Sequence, residues 1–355
     1  MKIIFDNIIY SLQSCGGISV VWTNLLGHIL GKECDVTMLE YDGAADNISR
    51  RTLAITQDHM VRRRMRLLKV MRFFNPRISR EMAEDRPFIF HSSYYRTCSN
   101  PLAINVTTVH DFAYELFVGN SLLRWLHCRQ QYRAIRKADH VVCISENTRK
   151  DLHRFLPDVD MKKVSVIYNG VDARFTHLPE SKMEDYVLYV GKRDRYKNFN
   201  AIVKPLAELG YKLKIVGVAL DEDEVEYMNE SGLQYEYCGK VDDEELNRLY
   251  NGAICLLYPS LYEGFGLPVL EAQMAGCPVI ACNTSSIPEV IGDANLLLDD
   301  ITTETLKEKL LMVTDPDKRK DIIARGLENT RRFSWKKMAE DYWKLYNELY
   351  SKSTT

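Results

Sequence analysis

The feature that most constrains this chain lies between residues 253 and 282. AICLLYPS is a short apolar run closed by Pro and Ser, Gly264 and Gly266 punctuate LYEGFG, LPVLEAQMAG has helical composition and stops at Gly276, and PVIAC is a second apolar run. Short apolar runs bounded by Gly and Pro read as buried strands, and the segment between them suits a helix with Pro268 at its first position. Strand, glycine loop, helix and strand in that order form a parallel crossover unit. The open N–H groups at the start of its helix face the carboxyl edge of the sheet, where anions bind. Two carboxylates, Glu263 and Glu271, sit eight residues apart inside this unit.

The same alternation runs through the whole chain. KIIFDNIIY reads as a strand, Gly16-Gly17 as a turn, and ISVVWTNLLGHIL as a helix. CDVTMLE, PFIFHSS, NVTTVHD, HVVCIS and KVSVIYNG continue as strands, with helices over 59–74, RWLHCRQQYRAIRKA and ENTRKDLHRFL between them. A second series begins at DYVLYVG, residues 185–191. Such alternation predicts parallel sheets assembled from strand–helix–strand units, and 355 residues suffice for two such domains. The expected domains are 1–172 and 173–334. Trp335, Met338, Tyr342, Leu345 and Leu349 recur at helical spacing, so a closing helix at about 335–350 is expected to cross back onto the first domain.

Composition excludes several classes. MKIIFDNIIY meets Asp6 too early for a secretory core, and no uncharged run reaches about 18 residues, so a cytoplasmic protein without a spanning helix is expected. Nine scattered cysteines without CxxC pairs read as reduced thiols, with no metal site. The net charge of −2 divides unevenly: residues 1–172 carry 24 Lys+Arg against 18 Asp+Glu, a net of +6, and the remainder carries 23 against 31, a net of −8. The basic excess concentrates in HMVRRRMRLLKVMRFFNPRISR (59–80), which contains no acid. One local patch on a nearly neutral chain does not indicate nucleic acid. Met60, Val61, Met65, Leu67, Leu68, Met71 and Phe74 alternate there with Arg62, Arg63, Arg66, Lys69 and Arg72. This spacing predicts an amphipathic helix, and either of two settings suits it: an anionic membrane surface, or an ordinary core with a solvated basic side.

Charged residues also gather at the expected strand ends. VGKRDRYKN brings Arg193 and Lys197 onto one loop, suited to a diphosphate because a guanidinium grips two oxygens at once. His110 and Asp111 follow INVTTV, and Ser145 precedes a helix that it can cap. Singly, each has an ordinary structural explanation: a solvated loop, a packed histidine, a cap, a turn.

Together they resemble the retaining nucleotide-sugar glycosyltransferases of the GT-B fold, glycosyltransferase family 4. The resemblance rests on EGFGLPVLE with its continuation into SSIPEVIGDANLLLDD, on GGIS, on HD at 110–111, on ISENTRKDL, on IYNGVD and on the Arg193/Lys197 loop. It implies two Rossmann-like, doubly wound domains facing a central cleft, the first binding the acceptor and the second the donor. Donor-binding residues would be Gly17, Arg193, Lys197, Glu263, Gly264, Phe265, Gly266, Leu267 and Glu271. Arg193 and Lys197 would neutralise the diphosphate, so no metal and no cofactor would be needed. Glu271, in the first helical turn, would hold the ribose, and Glu263 the donor sugar. His110 would hydrogen-bond the transferred sugar with Asp111 steadying it, which makes His110, Asp111 and Glu263 the catalytic set.

The resemblance further implies a hexose moved from a nucleotide-diphosphate sugar to a saccharide or lipid-linked saccharide acceptor in surface polysaccharide or glycoconjugate assembly. SSIPEVIGDA tilts the donor towards GDP-mannose. Peripheral attachment to the inner face of the cytoplasmic membrane through 59–80 would present a lipid-linked acceptor. The alternatives are a sugar-nucleotide epimerase of the same fold, whose cleft carboxylates would act as acid and base, and a non-catalytic nucleotide-sugar-binding protein. Slow donor hydrolysis without acceptor separates a transferase from a binder.

Overall fold

The computed structural model describes the chain except residues 56–58, 65–69, 71 and 355. It divides into two compact units, Met1–Gly170 with Trp335–Thr355, and Val171–Ser334.

The first unit is built on seven parallel strands: β1 (Lys2–Asp6), β2 (Asp35–Tyr41), β3 (Met60–Arg63), β4 (Phe88–Ser92), β5 (Ala103–Val109), β6 (His140–Cys143) and β7 (Val164–Val166). Their spatial order is β3-β2-β1-β4-β5-β6-β7, so the winding reverses between β1 and β4. Both faces are covered, as parallel sheets require. Ile3 and Phe5 face the Gly17–Ile29 helix through Val21, Trp22 and Leu25, while Ile4 joins Leu39, Phe88 and Phe90 on the opposite face.

The Trp335–Thr354 helix belongs to this unit. Met338, Ala339, Tyr342 and Tyr346 enter the same core as Trp22 and Phe5. Burying two tyrosines demands partners for their hydroxyls. Tyr346 meets Nδ1 of the fully buried His91 at 2.6 Å, Nε2 of that ring meets Thr108 at 2.9 Å, and Thr108 meets Tyr342 at 2.8 Å. Burial holds His91 down at about 3, so the ring is neutral and its two nitrogens serve as one donor and one acceptor.

The basic stretch departs from its expected form. Met60–Arg63 is not helical but an edge strand, paired in parallel with Met38–Tyr41 of β2. Arg62 and Arg63 suit an edge, where charge discourages further strand pairing. Of the rest of the amphipathic reading, residues 65–69 and 71 lie outside the described residues, while Arg72 and Phe74 are described and lie in a turn, not a helix. Among the described residues no helix is long and apolar enough to cross a membrane.

The second unit repeats the plan with β8 (Tyr186–Val190), β9 (Lys212–Val216), β10 (Tyr235–Gly239), β11 (Leu256–Tyr258), β12 (Val279–Cys282) and β13 (Leu297–Leu298). Their order is β10-β9-β8-β11-β12-β13, again parallel, with the reversal between β8 and β11. The loops leaving β8 and β9 run close together. A side chain at Gly217, whose φ is +151°, would place its Cβ 2.2 Å from the carbonyl oxygen of Gly191. Only glycine permits that approach.

Candidate functional site

In an open parallel sheet, ligands bind beyond the carboxyl ends of the strands where the winding reverses. For the second unit that point lies between the loops leaving β8 and β11, the two loops that carry Arg193, Lys197 and Glu263.

Lys197 ends a short turn, Arg195–Lys197, and its Nζ lies 2.7 and 2.8 Å from the two carboxylate oxygens of Glu263. Buried Tyr258, the last residue of β11, also hydrogen-bonds that carboxylate. Behind it, the Glu263 amide donates to Ser285 Oγ at 2.8 Å, and Ser286 Oγ donates to the carbonyls of Glu263 and Phe265, both at 2.9 Å. Ser285 holds a φ of +49°, a costly conformation for a non-glycine residue, which puts its hydroxyl under the loop. The serine pair of SSIPEV is thus the support of the Glu263 loop.

The turn Glu263–Gly266 enters the Leu267–Met274 helix through Gly266, whose φ is +104° and which caps the helix without a side chain. The start of this helix is therefore built from backbone, the arrangement that leaves amides for an anion. Pro268 is its second residue, and Glu271 stands in the second turn, one turn later than the sequence suggests. Tyr250 donates to Glu271 Oε2 at 3.2 Å. Burial, with Asp243 and Asp172 nearby, outweighs that bond and Arg174 and raises the Glu271 carboxyl to about 7. Arg174 meanwhile pairs with both Asp172 and Asp243.

Arg193 is not the open clamp that its sequence position suggests. Its side chain is 3% exposed, with Nε on Glu224 at 2.7 Å and Nη2 on the carbonyls of Val218 and Ala219 at 2.9 and 2.7 Å. Only Nη1 is left, buried and unpartnered. Glu224 also accepts from the Asp221 amide at 3.0 Å in the capping box of the Glu222–Glu230 helix. Arg193 therefore locks the loops leaving β8 and β9 together, and one nitrogen remains for a ligand.

The first unit carries the other predicted residues. Gly17 opens the Gly17–Ile29 helix beyond β1, and His110 and Asp111 follow β5. Burial lowers His110 to about 4, so its imidazole is neutral near pH 7. Asp111 Oδ1 accepts from the Ala113 amide at 3.0 Å and its carbonyl from Gln131 at 2.9 Å, which fixes the turn leaving His110. Ser145 caps the Glu146–Phe155 helix, its Oγ accepting from Thr148 N at 3.0 Å. Sequence reasoning missed Tyr258, Tyr250 and Glu224, because tyrosines at strand and helix ends and an acid in a first turn have sufficient local explanations.

Two family models match. Residues 15–175 fit Glycosyltransferase Family 4, and residues 172–329 fit Glycosyl transferases group 1. O-antigen chain mannosyltransferase B of Escherichia coli is 28% identical over 303 residues, covering 78% of each chain. Among solved structures, sucrose-phosphate synthase from Thermosynechococcus elongatus superposes with a TM-score of 0.75 at 20% identity, covering 99% of this chain and 100% of its own. HepE of Anabaena, in complex with UDP and glucose, gives 0.73 at 16% identity over 98% of this chain and 100% of its own. With both halves matched and the whole chain superposed on such neighbours, this protein belongs to the family 4, group 1 glycosyltransferases and is an enzyme of the GT-B fold.

Proposed function

We propose that this glycosyltransferase moves a hexose, with mannose from GDP-mannose as the first candidate, to a saccharide or lipid-linked saccharide, with retention of configuration and without a metal. The observation that carries the donor side is the Lys197–Glu263 pair, held at the strand reversal beside a backbone-built helix start. In the free enzyme the two charges satisfy each other. A diphosphate arriving at the helix start gives Lys197 a stronger anionic partner and releases Glu263 to accept from the hydroxyls of the sugar. Arg193 Nη1 adds one donor, and Glu271 accepts from the ribose. His110, neutral near pH 7, serves as a hydrogen-bond partner of the sugar and not as a cationic acid. The family match decides against the epimerase alternative. The Escherichia coli mannosyltransferase supports mannose and a place in polysaccharide assembly.

A lipid-linked acceptor is favoured by a second observation. The Leu122–Lys137 helix has five basic side chains and no acidic one, while Leu122, Leu123 and Trp125 are 72%, 52% and 54% exposed. Apolar side chains with a cationic margin suit an anionic bilayer surface. This helix is a better candidate for that contact than 59–80.

Thermal-shift screening with GDP-, UDP- and ADP-sugars tests the donor, since a ligand raises stability by mass action. GDP-mannose should give the largest shift, and NMR of the product should show the donor's anomeric configuration. No shift with any GDP-sugar, or an inverted product, overturns the corresponding part. Wild type should sediment with phosphatidylglycerol vesicles at low salt, and Leu122→Ser/Trp125→Ser should not. Equal sedimentation of the two removes the membrane role.

A further inference from the structure

We propose that the first unit contains a phosphate-binding pocket, separate from the donor residues, that recognises a phosphate-bearing group on the acceptor; this rests on the transferase reading above. A cavity of about 1130 Å³ opens between the segment before the Arg80–Ala83 helix, the ends of β2 and β3, and the last turns of the Leu122–Lys137 helix. Six of its lining residues are cations, Arg63, Arg64, Arg77, Arg96, Arg133 and Lys137, and none is a carboxylate.

Arg96 is the built element. It is 2% exposed, with Nε 3.2 Å from Asp6, Nη2 donating to Tyr41 at 2.7 Å, and Nη1 buried without a partner. Asp6 balances that one guanidinium. Among the described residues no carboxylate pairs with the other five cations, although surface Arg and Lys elsewhere pair freely with acids, as Arg136 does with Asp158. Gathering five uncompensated cations around one cavity is unfavourable until an anion enters it. Their number and the guanidinium fork match a diphosphate better than a single carboxylate. Asn75 and Thr97 fix the rim through two hydrogen bonds, 3.0 and 3.1 Å, so the cavity wall is ordered before a ligand arrives.

The probe is inorganic pyrophosphate, titrated by calorimetry into full-length Lys197→Ala protein, which lacks the more open of the second unit's two phosphate cations. Arg77, Arg133 and Lys137 are exposed, so changing all three to Gln leaves the core intact. The expected result is binding that weakens at least about tenfold in the triple variant and is stronger for pyrophosphate than for orthophosphate. Pyrophosphate affinity unchanged by the triple substitution overturns the pocket. The donor reading is scored by a different ligand and comparison, nucleoside diphosphate binding to wild type against Lys197→Ala, so the two failures are distinguishable. Phosphatidylglycerol vesicles separate the sources. Arg77→Gln alone, which leaves the Leu122–Lys137 helix untouched, makes the distinction: vesicle sedimentation lost in this variant makes the phosphate a lipid-borne group, and sedimentation that persists while pyrophosphate binding weakens makes it a free phosphorylated acceptor.

Discussion

The two sheets share one winding plan, yet their reversal points are chemically opposite. Between β1 and β4, Asp6 is fully buried and every contact points inward: Ser92 and Tyr41 donate to it at 2.7 and 2.8 Å, and Arg96 lies against it at 3.2 Å. Between β8 and β11, Lys197 and Glu263 keep 19% and 10% of their side chains exposed and bind each other in a pair that a ligand can exchange. The first arrangement is a lock. The second is a site. Topology supplies the crevice in both, and the accessibility of the charges decides which crevice takes the donor.

The largest expected effect breaks the lock. Removing one partner of a buried ion pair costs about 3–5 kcal/mol, so Asp6→Asn should lose most of the first unit's stability in urea unfolding. Nucleotide affinity per folded molecule should stay unchanged. A variant of wild-type stability with impaired donor binding would make the first crevice a site as well.

Lys197→Ala should show the reverse pattern. Loss of a charged contact in a desolvated site should cost about 2–4 kcal/mol in kcat/KM, with little change in Tm. Arg193→Ala should lower both, because Arg193 ties Glu224 and two carbonyls besides offering Nη1. If Arg193→Ala damages turnover while leaving stability untouched, the locking role assigned to it is wrong.

A smaller effect concerns Glu271, whose carboxyl burial raises to about 7. A raised carboxyl stabilises the free fold below its unfolded pKa, about 4.3 for Glu, and that contribution is lost as pH rises to about 7. Ribose hydroxyls need the ionised form, so nucleoside diphosphate affinity should climb with pH up to about 7 and then level. Glu271→Gln should bind more weakly and keep only the titration of the nucleotide's own phosphate. Identical pH profiles for the two proteins would detach Glu271 from the ribose.

Much of this was legible in the sequence, for identifiable reasons. Strand–helix alternation depends on local apolar periodicity, which survives without tertiary information, and Gly266 near Glu263 marks left-handed backbone that other residues rarely tolerate. The β3 segment was misread because its arginine spacing fits a helix, while its strand pairing depends on β2, about twenty residues away. The structural tie of Arg193 was hidden for a similar reason: Glu224, its partner, is 31 positions distant. The turn containing Glu271 was placed too early because the helix begins after Gly266, whose left-handed φ is a property of the folded loop.

The most direct test of the central claim is to titrate a nucleoside diphosphate into wild type, Glu263→Gln and Lys197→Ala, with turnover measured alongside. Glu263 competes with the diphosphate for Lys197, so Glu263→Gln should bind the free diphosphate as tightly as wild type or tighter while its turnover collapses; Lys197→Ala should lose both. Weakened diphosphate binding by Glu263→Gln with turnover preserved would contradict the exchange of partners on which this account rests.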